Sequence, residues 1–432
     1  MKILVVGSGG REHALVWKLA ASMRVRRMWC APGNAGIGLE ELACGSGRVE
    51  CVPIPAEEID VLLEFARSHK PDLTVVGPDN PLALGIVDRF QREGLPIWGP
   101  NQSAARFESS KVFSQEFMER YGIPTARAGT FSDAGEAKEF ARTLDGRCAV
   151  KADGLALGKG VLICQNKEEA YRAIEEILVQ RTFGSAGATV VIQEFLEGTE
   201  VSLHALCDGR TALMFPTSQD HKRAMDQDMG LNTGGMGTYS PTPFLSGDEL
   251  EKVGRSILDP WLAGCAREGI DFKGILYPGV MLTAQGAKVL EFNARFGDPE
   301  TQVYLTRLEN DLLELLEASV AGSLHRIELR WRPDVSVCVV MASGGYPGSY
   351  EKGCVIKGLD QADQLPGTKV FHAGTAMKNG EVVTNGGRVL GVTALGRDLV
   401  QARNAAYAAV DRLQFKGAQW RSDIGWRAMK PS

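Results

Sequence analysis

Glu291, Asn293 and Arg295 fall at every second position of Val289-Leu-Glu-Phe-Asn-Ala-Arg-Phe-Gly-Asp-Pro-Glu300. Side chains alternate across a strand, so these three are expected on one face, with Leu290, Phe292 and Ala294 turned into a core. A carboxylate and an amide oxygen two residues apart are hard donors suited to Mg2+, which takes a few protein oxygens and fills its shell with phosphate and water. Arg295, one pleat further on, is placed to hold a second anion. The plain alternative is a half-exposed antiparallel strand whose polar face meets water, a reading that serves any one residue better than it serves the trio. Asp298 either joins this edge or caps a helix that starts at Pro299 and runs to about Gly322.

An armed strand of this kind needs a framework. The 432 residues exceed one ordinary domain and predict two to four lobes. The composition, 44% hydrophobic and 23% charged, is that of a soluble globular protein. A net charge of -5 argues against a nucleic-acid partner, whose phosphates require a basic field, while leaving local sites for small anions open. Nine scattered cysteines without a Cys-x-x-Cys predict reduced thiols and no zinc site. The opening apolar run is too short for a signal peptide, and no stretch approaches the ~18 apolar residues of a membrane span. A cytoplasmic protein is expected.

Lys2 to Val6 reads as a buried strand, Gly7-Ser-Gly-Gly10 as a sharp turn and Arg11 to Ala21 as a helix, which together place backbone N–H groups on a phosphate. As a nicotinamide site the match is weak. Glu12 takes the third glycine position, and the second strand, Val25 to Cys30, runs into Ala-Pro-Gly-Asn34 rather than an acid for a ribose. The strand ends Leu73-Thr-Val-Val-Gly-Pro-Asp-Asn-Pro-Leu82 and Pro96-Ile-Trp-Gly-Pro100 complete an α/β lobe of roughly 100 residues. Asp79 and Asn80 stand at the carboxyl end of the first of these, where ligands gather, although loop solvation explains them nearly as well. A helical stretch from Gln102 carries Ser109-Ser-Lys111 and breaks at Tyr121-Gly-Ile-Pro124. Cys148 to Ile163 reads as strand, glycine loop and strand. Gly154-x3-Gly158-Lys-Gly160 fails the Walker template in spacing and context and is expected to form a flap over phosphates, or else an exposed hairpin. Lys151 inside Ala149-Val-Lys-Ala152 needs a partner that a nucleotide phosphate would supply.

Further along, Glu194-Phe-Leu-Glu-Gly-Thr-Glu200 is an acidic connector suited to adenine through its backbone and to a ribose through Glu200, and alone it would pass as a surface loop. Ser218 to Gly237 is read as a long, polar, glycine-rich loop. Within it Asp220, His221, Lys222 and Arg223 are candidates for an anionic, amine-bearing substrate. Beyond Arg330 short strands (Val335 to Met341, Val370 to Met377), an Asn379-Gly380 hairpin turn and a helix from Asp398 to Leu413 carry no chemical constellation, so these residues are read as a closing lobe.

Gly7-Ser-Gly-Gly-Arg-Glu-His-Ala14, Val150 to Gly160, Gln219-Asp-His-Lys-Arg223, Asn232-Thr-Gly-Gly-Met-Gly237 and Arg295-Phe-Gly-Asp-Pro-Glu-Thr-Gln302 together resemble the ATP-grasp ligases, and within them the glycinamide ribonucleotide synthetases. The resemblance covers essentially the whole chain. It implies a multidomain α/β and α+β protein: an N-terminal open α/β (pre-ATP-grasp) lobe over 1–101, a central ATP-grasp domain with the metal site over 102–122 and 196–330, a lid over 123–195, and a small mixed C-terminal lobe over 331–432. By similarity Lys111 and Lys151 hold ATP phosphates under the flap at Gly158, Glu194 and Leu196 hold adenine, and Glu200 holds the ribose. Glu291 and Asn293 become ligands of Mg2+, with Mn2+ as the alternative. Gly9, Gly10, Asp79, Asp220, Lys222, Arg295, Asp298 and Glu300 surround the other substrates, and Arg295, Lys151 and Asp220 carry the chemistry.

The reaction implied is joining of glycine to 5-phosphoribosylamine with ATP through a glycyl phosphate, by a monomer without nucleic-acid or membrane partners. Three departures accompany the resemblance. Asp79 stands where the family has glutamate, Gln227 and Leu231 replace a glycine and a proline, and Val280 to Thr283 lacks the extra acidic metal ligand of other ATP-grasp enzymes. Another ATP-grasp carboxylate-amine ligase is the nearest alternative. A nicotinamide oxidoreductase is opposed by Glu12, and a regulator without turnover by the intact Lys151, Glu291 and Asn293.

Overall fold

The computed structural model describes residues 1–155 and 160–429. At its start β1 (Lys2–Gly7), β2 (Arg27–Pro32), β3 (Glu50–Cys51), β4 (Leu73–Val76) and β5 (Ile97–Trp98) form a parallel sheet in the order β3-β2-β1-β4-β5. Helices α1 (Gly10–Ala20), α2 (Ile59–His69), α3 (Asp79–Ala83) and α4 (Ile86–Arg92) belong to this lobe. The central strands are buried along almost their whole length, the pattern of a parallel sheet covered on both faces. The second strand starts two residues later than expected. Strand order reverses between β1 and β4, so the glycine turn and Asp79 open toward one crevice.

The helical stretch from Gln102 divides into α5 (Gln102–Ser109) and α6 (Lys111–Arg120). Ser110 is extended between them, and its hydroxyl caps α6 by accepting the Phe113 N–H at 3.1 Å. A four-stranded antiparallel sheet follows. It is built from β6 (Ala128–Phe131), β7 (Cys148–Ala152), β8 (Val161–Cys164) and β9 (Val190–Glu194) in the order β6-β9-β7-β8. Against it α7 (Ala134–Thr143) and α8 (Lys167–Ile174) bury alanine and isoleucine in a core of its own.

Next come β10 (Thr199–Ser202), β11 (Ala205–Asp208) and β12 (Ala212–Met214), then β13 (Gln219–Asp220), β14 (Arg223–Met225), β15 (Met229–Asn232) and β16 (Gly237–Ser240). The stretch expected as a loop is thus mostly short strands, because backbone pairing of β14 with β15 and of β13 with β16 satisfies its polar groups. After α9 (Gly247–Glu268), β17 (Lys273–Thr283) turns at Gly286 into β18 (Gly286–Asn293). β17 is long enough to pair β18 along one edge and both β10 and β11 along the other. Phe107, Phe117, Trp261, Phe272 and Phe292 fill the core beneath this sheet.

The helix expected from Pro299 to Gly322 is two, α10 (Glu300–Arg307) and α11 (Leu312–Ala321), the second closed by Gly322 in the left-handed region. β19 (Val335–Ala342), α12 (Leu359–Asp363), β20 (Thr368–His372), β21 (Thr375–Lys378), β22 (Glu381–Thr384), β23 (Arg388–Gly396) and α13 (Leu399–Val410) finish the chain. The strand expected over Val370 to Met377 breaks at Ala373-Gly374, and Asn379-Gly380 makes the β21–β22 turn with both residues at positive φ. A five-stranded sheet in the order β13-β16-β19-β23-β20 crosses the division expected at residue 330, drawing strands from the 219–240 region into the C-terminal lobe. Among the described residues no helix is long and apolar enough to cross a membrane.

Candidate active site

A cavity of about 640 Å³ opens between the sheet formed by β10, β11, β12, β17 and β18, the β6–β9 sheet and the β14–β15 hairpin, with Lys111, Lys151, Glu194, Leu196, Glu200, Asp220, Lys222, Glu291, Asn293, Arg295, Asp298, Glu300 and Asp79 all on its wall. That size accommodates a nucleotide. Val161, Phe195, Met281 and Leu290 add apolar wall. Gly9 and Gly10 do not line it, and Gly158 lies outside the described residues.

The strand of the opening argument has an irregularity that alternation did not foresee. Gly279 pairs with Glu291 and Val280 with Val289, leaving Leu290 as the extra residue of a bulge. Val289, Phe292 and Ala294 therefore face the core, while Leu290, expected there, lines the cavity. Its freed carbonyl accepts Lys151 Nζ at 3.0 Å and Gln193 Nε2 at 3.3 Å, tying β7 and β9 to the base. Arg295 lies past the strand end. It pairs with Glu108 at 2.8 Å and donates to Asn293 Oδ1 at 3.3 Å, and its Nε is buried without a protein partner.

Desolvation pushes the Lys151 ammonium down to about 8; Glu291 opposes this, and Lys111 and Lys222 add to it. Desolvation alone would raise the Glu291 carboxyl, but Lys151, then Lys222, Lys111 and Arg295, hold it below the usual carboxylate range. Glu291 and Asn293 thus offer an ionised carboxylate and an amide oxygen beside a cluster of cations, and among the described residues no group of three or more His, Cys, Asp or Glu forms a closed metal cage. This donor set fits a hard divalent ion that takes its remaining oxygens from phosphates. Lys111 Nζ donates to Gly154 O at 3.1 Å, and Val112 N–H to Asp153 Oδ1 at 3.2 Å, so the N-terminus of α6 grips the root of the glycine loop. The Glu194 carboxylate accepts from Lys288 at 3.0 Å and its own N–H donates to Arg127 O; Glu200 is ion-paired with Lys222.

Three carboxylates, Asp220, Asp298 and Glu300, line the same cavity. Tyr277 Oη donates to Glu300 Oε1 at 2.6 Å, and desolvation followed by the neighbouring Glu300 raises Asp220 well above the ordinary carboxylate range. Asp298 is no helix cap: its carboxylate accepts from Gln302 at 2.8 Å and from Arg388 at 2.9 Å. Desolvation would raise Asp298, and Arg388 with Arg11 brings it down. Gly9 and Gly10 stand behind Asp298. An added Cβ at Gly10 would come 2.6 Å from Gln302 Nε2 and 3.3 Å from Asp298 Oδ1, so glycine there admits the close approach of α1 to α10. The Gly9 N–H is already donated to Glu12 Oε2 at 2.6 Å, and Glu12 packs so tightly under Gly7 and Gly77 that its carboxylate fills the turn where a dinucleotide would set its pyrophosphate. His221, expected beside substrate, is buried: its Nδ1 meets Gly237 O at 3.0 Å and its Nε2 accepts Gly425 N–H at 3.1 Å.

Glu108, Tyr277, Arg427 and Arg388 were not legible as site residues. Glu108 had a usable signal, since a carboxylate four residues after the buried Ala104, on the core-facing side of α5, demands a partner. Arg388 had none.

The parallel lobe, the two sheets closing over one cavity and the metal-type strand end define the ATP-grasp class. A solved biotin carboxylase domain of the Hydrogenobacter thermophilus 2-oxoglutarate carboxylase shares the fold, with a TM-score of 0.74 at 16% identity over 97% of this chain and 91% of that one. The phosphoribosylglycinamide synthetase models match consecutively, the N domain over residues 1–108, the ATP-grasp (A) domain over 109–301 and the C domain over 336–427, and the chain belongs to that family. A Vibrio cholerae protein named phosphoribosylamine–glycine ligase is 47% identical over 99% of both chains. The chicken trifunctional purine biosynthetic protein adenosine-3 is 49% identical over 99% of this chain, which spans 42% of that protein. The crystal structure of the Thermotoga maritima phosphoribosylamine–glycine ligase gives a TM-score of 0.83 at 34% identity, over 98% of this chain and 100% of that one. Use of ATP with a divalent metal belongs to the ATP-grasp class.

Proposed function

We propose that the protein joins glycine to 5-phosphoribosylamine at the expense of ATP, a step of purine biosynthesis. A glycine carboxylate oxygen attacks the γ-phosphorus and ADP leaves; the amine nitrogen then attacks the acyl carbon of glycyl phosphate, and phosphate leaves with glycinamide ribonucleotide as product. The observation that carries this reading is the lining of that cavity, which brings Lys111, Lys151 and Arg295, Glu291 and Asn293, and Asp220, Asp298 and Glu300 onto one wall surface. Such chemistry asks mainly for alignment and charge neutralisation.

Lys111 and Lys151 hold the transferring phosphates, Glu194 and Leu196 the adenine, Glu200 the ribose, and Arg295 the carboxylate or acyl phosphate. Glu291 and Asn293 would hold a divalent ion, Mg2+ in this reading with Mn2+ as the alternative, which supplies charge neutralisation on the phosphate oxygens. Lys222, Asp79, Asp298 and Glu300 surround the amine substrate, with the Gly9-Gly10 turn backing Asp298. Asp220, whose affinity for a proton is raised by its surroundings, is suited to accept the proton that the amine loses. Residues 123–195 act as lid over a base of 102–122 and 196–330, flanked by 1–101 and 331–432, in a cytoplasmic monomer.

The experiment is ADP release with glycine, 5-phosphoribosylamine and ATP, each omitted in turn. Release that requires all three is expected. Release that persists without 5-phosphoribosylamine, or that another carboxylate supports better than glycine, would assign the cavity to a different ATP-grasp ligase.

A further inference from the structure

β23 reaches the cavity region through a second bulge. Met341 pairs with Leu390 and Ala342 with Arg388, so Val389 is the extra residue; Val389 and Leu390 both enter the C-terminal core and Arg388 is turned out of it. The four hydrogen bonds of the Arg388 guanidinium leave its own sheet. Nη1 donates to Gly234 O at 2.5 Å, to Asp298 O at 2.6 Å and to Gly235 O at 3.4 Å, while Nη2 donates to Asp298 Oδ2 at 2.9 Å. A planar fork serves such a set of oxygens, and a point charge does not.

The turn it holds is packed against the cavity's carboxylates. Gly235 has φ +112°, and a Cβ there would lie 2.6 Å from Pro299 Cδ and 2.7 Å from Asp220 Oδ1. Tyr346 of the same lobe accepts the Gly234 N–H on its hydroxyl at 3.1 Å. Any drift of this turn is therefore felt by Asp220 and Asp298 together. Arg388 is also one of the cations that offset the charge of Asp298, Asp220 and Glu300, which would otherwise repel one another, and it is the largest of them at Asp298.

We propose that Arg388 is a positioning residue for the amine-substrate half of the site: it fixes Asp298 and the 233–235 turn before substrate arrives, and so makes the C-terminal lobe a working part of the active site rather than a cover. The inference rests on the function proposed above. It touches neither the nucleotide nor the metal edge, so its effect is confined to one substrate.

The test is steady-state kinetics of Arg388→Met and Arg388→Lys with each of the three substrates varied. Loss of a charge-assisted bidentate contact predicts a rise of about tenfold or more in KM for 5-phosphoribosylamine in Arg388→Met, with KM for ATP and glycine changed less than about twofold. Arg388→Lys should recover part of the loss, because its ammonium still meets the Asp298 carboxylate but cannot span the three carbonyls. Glycine-dependent positional isotope exchange in ATP labelled at the β,γ-bridge should persist in both. Equal rises for ATP and the amine, or an unmoved KM for the amine, would overturn the assignment. If Arg388→Met does not fold, Tyr346→Phe removes one bond to the same turn and carries the test: a rise of about threefold for the amine alone supports the inference, and no change overturns it. The unmutated protein is measured first, and failure to release ADP with glycine and 5-phosphoribosylamine would overturn the proposed function itself.

Discussion

β18 and β23 both bring charge to the site by way of a bulge, and in each the extra residue lends its carbonyl to another element. Leu290 O accepts from Lys151, and Val389 O from Ala373 N–H at 2.8 Å. They differ in what the bulge delivers. β18 presents Glu291 and Asn293 to the cavity, with Arg295 just beyond, residues close enough in sequence to be read as one chemical unit. β23 delivers a single arginine whose partners lie 90 and about 154 residues away. A cluster local in sequence supplies chemistry that shows itself in sequence. A lone residue with distant partners supplies geometry, and only the fold reveals it.

The largest effect should come from disarming the first of these strands. Glu291→Gln removes a charge from the metal edge and opens no cavity, so turnover should fall by more than about a hundredfold, the scale of losing one preorganised electrostatic contact. Melting temperature and circular dichroism should be preserved. Near-normal turnover at saturating Mg2+ would take Glu291 out of the metal edge, and with it the claim that β18 is the chemical strand of the pair.

A smaller effect follows from the charge next to it. Desolvation depresses Lys151 to about 8 and Glu291 partly opposes this, so the ammonium that meets phosphate is lost from the free enzyme as pH rises through about 8. kcat/KM for ATP is expected to be flat below that value and to fall about tenfold per unit above it. The stability sign runs the other way. A lysine held below its ordinary 10.5 costs folding free energy while it is protonated, and the cost fades between about 8 and 10.5. In Glu291→Gln the inflection should move to lower pH. A profile that stays flat to pH 10 would show that Lys151 keeps its proton.

Much of this was legible. Strand, turn and helix at the N-terminus follow from an apolar run, glycines and an amphipathic stretch, and the cavity residues fall in motifs of unusual polarity. The failures have physical causes. Strict alternation put Leu290 in the core because a bulge leaves no mark on hydrophobic pattern. Ser218 to Gly237 reads as a loop because its strands are only two to four residues long, without a run of alternating residues, and are stabilised by backbone pairing. Asp298 resembled a cap because the same residue type accepts a helix N–H or, as here, an arginine from another lobe. The hundred residues beyond Arg330 seemed chemically silent because Arg388 and Arg421 act on segments far away in sequence.

The smallest effect tests how far the C-terminal lobe substitutes for local backbone preference. Gln227 and Asp228 both sit in the left-handed region at φ 57°, at a place where the resemblance led one to expect glycine at 227. The hairpin keeps this shape through the chain's end: Gln227 N–H donates to Asp423 Oδ2 at 2.7 Å, Asp226 Oδ1 accepts Ser422 N–H at 2.8 Å, and Arg421 Nη1 donates to Asp228 Oδ1 at 2.9 Å. Only the first of these bonds involves Gln227, and it uses the backbone, so the side chain is dispensable to all three. Gln227→Gly relieves a left-handed residue of roughly 1 kcal/mol and adds backbone entropy to the unfolded chain worth about 0.4–1 kcal/mol, so the two nearly cancel. The variant should melt within a few degrees of the parent, at or slightly above it, with KM for 5-phosphoribosylamine unchanged. Asp423→Asn, which weakens the tie to Gln227 and to Arg421 together, should cost more than Gln227→Gly in the same measurement. The reverse order, a harmful glycine and a harmless Asp423→Asn, would mean that the hairpin is held by Gln227 itself and not by its ties to the C-terminal lobe.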